Sequence, residues 1–147
     1  MSQTPNFALP LLFAGQAHKE ITHNEALVLI DALLCGCVEG AASDPDSVEA
    51  DEGKAWIIGP SPLGIWMGHA RSIAIYTAGG WRFAPPVIGM RMHDRAIGSV
   101  RIFDGSAWLA PAAIPDPVGG GTIDTEARLT LTTLLSALRE MGYLTVT

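Results

Sequence analysis

His18 and His23, in the run His18-Lys19-Glu20-Ile21-Thr22-His23, are the first side chains along the chain with the chemistry of metal ligands. A zinc-protease helix needs its two imidazoles four residues apart. A five-residue step turns about 140° and points them to different sides, so this run does not make a metal site. Cys35 and Cys37 are separated by one residue. That spacing strains a disulfide and supplies half of a four-ligand zinc set, so the pair reads as free thiols. Asp44, Asp46, Asp51 and Glu52 crowd one acidic stretch without the alternating register of a calcium loop, and read as solvated charge. His69 and the His93-Asp94 pair have no serine or cysteine partner that the sequence nominates. The stretches Gly59–Gly64 and Pro117–Thr122 are glycine-rich but lack the Lys-Ser/Thr ending of a phosphate loop. No catalytic residue, metal ligand or cofactor is therefore expected.

What remains is chemistry of contact. Trp56, Trp66, Trp81 and Trp108 offer flat indole faces with a polar edge, suited to stacking on sugar rings or to covering the core side of a sheet. Trp66, between two glycines, is the best sugar-binding candidate, with His69 and Trp81 beside it in the expected glycan site. Gln16, His18, Glu20, His23, Asn24 and Glu25 concentrate polar groups in one short span. They either satisfy donors where an arm turns into a helix, or meet the next protein of an assembly. On the second reading Gln16, His18, His23 and Asn24 belong to an assembly interface.

The elements that must position these residues are legible in the periodicity. Thr22 followed by Glu25 has the capping-box pattern and predicts a helix from 22 to 34. Ala26, Leu29, Ile30, Leu33 and Leu34, with Leu27 alongside, recur at steps of three and four as its core stripe, and Gly36 stops it. Residues 1–15 read as an extended arm, because Pro5 and Pro10 fix φ while Phe7, Leu9, Leu11, Leu12 and Phe13 carry apolar surface. Residues 41–53 read as an acidic loop. From Lys54 the pattern changes to short β-branched and aromatic runs between Gly and Pro, which predicts strands at 54–59, 64–68, 72–77, 81–84, 100–103 and 107–109, with another around 89–93. Residues 73–85 and 100–111 share one design: apolar strand, aromatic, Gly turn, Trp, Ala-Pro. Prolines and three consecutive glycines make 111–124 a linker. Asp124 or Thr125 caps a second helix from 126 to 141, with Ala127, Leu131, Leu134, Leu135, Leu138 and Met141 along one side and Gly142 closing it. The expected fold class is α+β: an antiparallel hairpin-rich domain, 16–110, packed on one N-terminal helix, followed by a tethered helix and tail, 125–147.

The 147 residues fit one domain, and the formal charge of −6 disfavours a phosphate-tracking surface, which argues against nucleic acid. The N-terminus has no basic residue before its Pro-interrupted apolar run, so neither a signal peptide nor membrane insertion is expected.

The run from Leu9 to Leu34 resembles the opening motif of a domain family of unassigned function from alphaproteobacterial prophages and gene transfer agents, of the form PxLxxxQAQKexTHNEALxxLDAL. Pro10, Gln16, Ala17, Lys19, Glu20, Thr22, His23, Asn24, Glu25, Ala26, Leu27, Asp31 and Ala32 carry it. His18 departs from it, standing where the family has Gln. Gly64, Trp66, Gly68 and His69, then Gly80 and Trp81, look like the family's next two motifs, so the resemblance covers roughly 8–110. It implies a virion protein of a tail fibre or head spike, or the base onto which one docks, that serves attachment to host surface polysaccharide. The implied partners are other fibre, spike or baseplate proteins, and the implied localisation is the virion. A glycan-active enzyme and an intracellular binding module are the alternatives. Self-assembly, most simply a homotrimer by analogy with viral fibres, follows from the greasy arm and from Leu131, Leu134, Leu135 and Leu138, because small domains do not readily cover two such surfaces alone.

Overall fold

Residues 19–35 contain neither proline nor glycine, and they form one helix, α1 (Lys19–Cys35), in a computed structural model that describes residues 3–7, 11–12, 19–121 and 124–145. Of residues 19–22 it describes the backbone alone. The helix begins ahead of the expected cap, so Thr22 lies within it and the capping box is not its start. The expected end holds: Gly36 takes φ 62° and donates to the Ala32 carbonyl at 3.3 Å.

The buried face of α1 differs from the expected stripe. Val28, Asp31 and Ala32 are buried and Leu29 packs against the core, whereas Ala26, Ile30, Leu33 and Leu34 are exposed, Leu34 to 68%. The expected stripe lies two positions from the buried set Val28, Asp31 and Ala32, a step of about 200° that puts it on nearly the opposite side of the helix. The structure turns that carboxylate inward, because the N-terminal arm supplies its hydrogen bonds.

Beyond Gly36 one extended segment carries β1 (Cys37–Val38) and β2 (Ala41–Ala42), and it is hydrogen-bonded along both edges. On one edge His93 N–H and Arg95 N–H donate to the carbonyls of Gly36 and Val38; on the other, Glu39 N–H donates to Ala55 and the Gly40 carbonyl accepts from Ile57. The first edge belongs to a sheet of order β1-β6-β7-β8, the second to a sheet of order β2-β3-β4-β5. Here β3 is Ala55–Ile58, β4 Ile73–Thr77, β5 Gly80–Ala84, β6 Arg91–Asp94, β7 Ser99–Phe103 and β8 Trp108–Leu109. Each sheet is a three-stranded antiparallel meander docked in parallel on the shared segment. The repeat read in the sequence is thus the last hairpin of each meander. Tyr76 pairs with Trp81 in one, and Phe103 with Trp108 in the other.

Two further expectations change. The 41–53 stretch is not all loop, since Ala41 and Ala42 enter a sheet and Pro45–Ser47 forms a 3-10 turn capped by the Asp44 carboxylate, 3.0 Å from Asp46 N–H. Residues 64–68 form a 3-10 turn over Gly64–Trp66 instead of a strand. Its flanking glycines take φ 53° and 88°, outside the extended region, and break the alternation that imitates a strand.

The core sits on β3 and β4, which are covered on both faces. Ala55, Ile57, Ile73 and Ile75 meet Ala32 of α1, Val38 and Met92. On the opposite face Trp56, Ile58 and Ala74 meet Trp66. Continuous apolar strands of this kind are those a sheet places between two layers. In the second sheet a buried Asp94 accepts from Arg101 Nε at 2.6 Å and from Ala96 N–H at 2.9 Å, which closes the β6–β7 turn.

The second helix, α2 (Thr125–Glu140), is capped by Asp124, whose carboxylate accepts from Ala127 N–H at 2.9 Å. Its C-terminal end is seated on the body: Gly142, φ 74°, lies against Gly98 and Ser99 and accepts from Val100 N–H. The linker runs back along it. Arg139 donates to the Ile114 carbonyl and pairs with Asp116, Arg128 donates to the Gly119 carbonyl, and Ala113 bridges Thr145.

The buried strand β4 and the exposed outer face of α1 separate two substitutions. Ile75→Ala should cost about 3 kcal/mol in urea unfolding, as expected for a core cavity. Leu34→Ala should stay within about 0.5 kcal/mol of the parent, although sequence periodicity puts Leu34 on the core stripe of α1.

Candidate functional site

The N-terminal arm is held on α1 by two polar side chains. Asp31, with no exposed surface, takes Thr4 Oγ1 at 2.7 Å and Phe7 N–H at 2.8 Å on one oxygen, and Asn6 N–H at 2.8 Å and Asn6 Nδ2 at 3.0 Å on the other. Two turns earlier, Asn24 accepts from Leu12 N–H and donates to the Leu12 carbonyl, both at 2.9 Å. Pro5 lies on Gly53, where a Cβ would come within 2.6 Å of it. Burial by itself would raise the Asp31 carboxyl, but the hydrogen bonds from Thr4, Asn6 and Phe7 outweigh it and hold the group below the ordinary carboxylate range. Asn24, expected at an assembly interface, is therefore engaged by its own arm. His23 is exposed on α1, and Gln16 and His18 lie outside the described residues.

Next to this clasp Glu25 pairs with Arg82 of β5 across a cavity of about 240 Å³, lined also by Leu11, Asn24, Val28, Glu52 and the Thr77–Gly79 turn. Glu25 thus serves β5, and not a helix cap. Both partners are part-exposed, so the pair aligns helix and hairpin more than it stabilises them. No sequence signal links positions 25 and 82, since the contact exists only after β4 and β5 fold under α1.

The aromatic residues gather on the opposite side of the sheet. Trp81 meets Trp66 and Tyr76 edge-on with centroids 5.0 Å apart, and Trp56 at 5.6 Å. Trp66 has no exposed surface, which corrects its assignment to a glycan site: both indole faces are covered by protein. His69 and Trp81 keep part of their surface open, and His69 stacks on Phe83 at 3.8 Å. The open apolar surface of this turn belongs instead to Leu63, Ile65 and Met67, which sequence reasoning overlooked. With the Trp66 indole turned inward, the 3-10 turn leaves these three side chains on its outer side.

The remaining surface is α2. It has no buried residue; Leu131 and Leu134 are 51% and 53% exposed, Leu129 and Met141 are exposed too, and Leu135 and Leu138 are half-buried. Ile30, Leu33 and Leu34 make a second exposed apolar row on α1. The arrangement offers surfaces for association and a clasp for the arm. Among the described residues no three His, Cys, Asp or Glu side chains are grouped to hold a metal ion, and no helix is long and apolar enough to cross a membrane.

A family model described as "Protein of unknown function (DUF2793)" matches residues 23–109, from the middle of α1 to the end of β8. The matched region holds both meanders and leaves out the arm and α2. No curated protein matches the chain.

The clasp makes arm docking acid-sensitive in a definite direction. A carboxyl lowered by folding contributes stability above its ordinary range, and that contribution is lost as pH falls through the lowered value. Protection factors of the Asn6 and Phe7 amides, each taken against the intrinsic rate at the same pH, should be high at neutral pH and fall on acidification. Asp31→Asn should expose both amides at neutral pH and cost about 2 kcal/mol.

Proposed function

The chain belongs to the DUF2793 family, and from that premise and the leucine-lined face of α2 we propose a non-enzymatic structural role in a phage or gene-transfer-agent particle. It is a part of a tail fibre or head spike, or the base for one, and it assembles on itself to serve attachment to host surface polysaccharide. The observation that carries this reading is the exposure of Leu131 and Leu134 on a capped, well-formed helix. Exposed apolar rows on ordered helices are liabilities in a monomer and assets in an assembly. The particle assignment is supported by the resemblance of the run from Pro10 to Ala32 to the prophage and gene-transfer-agent motif.

Two heptads of α2 hold an assembly weakly, so the body has to contribute. The row Ile30, Leu33 and Leu34 on α1 is apolar surface of the right kind for that contribution. Threefold order follows viral fibres by analogy. Several copies raise effective concentration, so that a weak sugar contact at each, through His69 and the open part of Trp81, adds up to firm attachment.

Light scattering on the full chain should give a mass near three times 15.5 kDa. The double variant Leu131→Glu, Leu134→Glu should fall to the single-chain mass with unchanged helix content. A parent at 15.5 kDa at micromolar concentration, unchanged on dilution, removes the assembly, and purified particles that lack the chain by immunolabelling remove the virion role.

A further inference from the structure

Cys35 closes α1 and Cys37 opens β1, with Gly36 between them in the left-handed region at φ 62°. Both cysteines are free, part-exposed, and on the wall of one cavity of about 180 Å³. Pro5 and Asn6 of the arm form another wall, and Arg95, Lys54 and Glu39 put charge around the opening. A pair of part-exposed thiols one residue apart on one cavity wall, framed by polar groups, differs from the isolated buried cysteine that behaves as a small hydrophobe.

We propose that Cys35 and Cys37 form a thiol–disulfide exchange site whose substrate is a small-molecule disulfide of the glutathione class. One cysteine, as thiolate, attacks a sulfur of the small disulfide. A mixed disulfide forms between protein and small molecule, and the displaced small thiolate takes up the proton. The neighbouring thiolate then attacks the protein sulfur of the mixed disulfide, which closes a Cys35–Cys37 bond and releases the second small thiol. Two protein thiols are oxidised and one small disulfide is reduced to two thiols, so no other oxidant enters.

Two features suit the pair to this chemistry. Gly36 brings no side chain into the short loop that the bond would close, and its left-handed backbone is the one that reverses the chain between helix and strand. A ring closed across a single residue is strained, which keeps the bond reducible by small thiols instead of permanent. Burial, and then the Cys37 neighbour, push the Cys35 thiol above its ordinary value, which lowers its thiolate fraction and makes exchange quicken as pH rises. The site is independent of the particle role proposed above.

Whole-protein mass spectrometry of the full chain, equilibrated in buffers of reduced and oxidised glutathione and quenched with acid, tests the proposal. The parent should lose two hydrogens as oxidised glutathione increases and regain them in reduced glutathione, with circular dichroism unchanged. Cys35→Ser and Cys37→Ser should each stop at a single glutathione adduct. The parent reading decides the matter even if a variant misfolds. Thiols that stay reduced in the folded chain and react only in urea overturn the site, as do stable double adducts or disulfide-linked dimers in place of the internal bond.

Discussion

A carboxylate with no exposed surface in the middle of an otherwise apolar helical run must be met by donors, and Asp31 finds them all in residues 4–7. An unpaired buried charge of this kind would cost more than any single apolar contact in the domain contributes. Meeting it sets the rotation of α1: Val28 and Ala32 go down with Asp31, and Ile30, Leu33 and Leu34 are left in solvent. The same bonds give the arm its place, which brings Pro5 onto Gly53 and Asn6 beside the two cysteines. Helix orientation, arm docking and the dithiol cavity therefore share one electrostatic cause.

The second organising constraint is the segment from Gly36 to Ala42, hydrogen-bonded on both edges. It lets two meanders of the same design share a parallel partner, so neither sheet has an open edge along that segment. The halves are filled differently. β3 and β4 are covered on both faces by α1 and the Trp66 turn, while the other meander relies on a buried Asp94–Arg101 pair at its turn and on Trp108, whose indole N–H reaches the Arg71 carbonyl at 2.8 Å. Arg71 adopts φ 67°, a strained value for a residue with a side chain, and that hydrogen bond joins the strained loop to the other sheet.

Surface chemistry follows from this division. Aromatic residues that look suited to sugars in a one-dimensional reading pack edge-on against one another, because a sheet with two apolar faces needs large side chains to cover the second. The surfaces left open are aliphatic: the turn at Leu63, Ile65 and Met67, the outer row of α1, and the leucines of α2. Such faces have the chemistry of protein–protein contact surfaces.

The sequence by itself determined the elements whose causes are local. The Gly36 stop, the hairpins with their paired Tyr76–Trp81 and Phe103–Trp108, the Asp124 cap and α2 all depend on neighbours within a few positions, so periodicity and turn residues sufficed. Tertiary structure alone decided which face of α1 is buried, that Trp66 is inside, that Glu25 meets Arg82, and that Ala41 and Ala42 join a sheet. Each of these rests on a partner 15 or more residues away along the chain, or on a covering layer. Apolar counting measures how well a residue fits a core, but a buried charge or a second layer decides which core it enters, and neither is visible until distant segments have met.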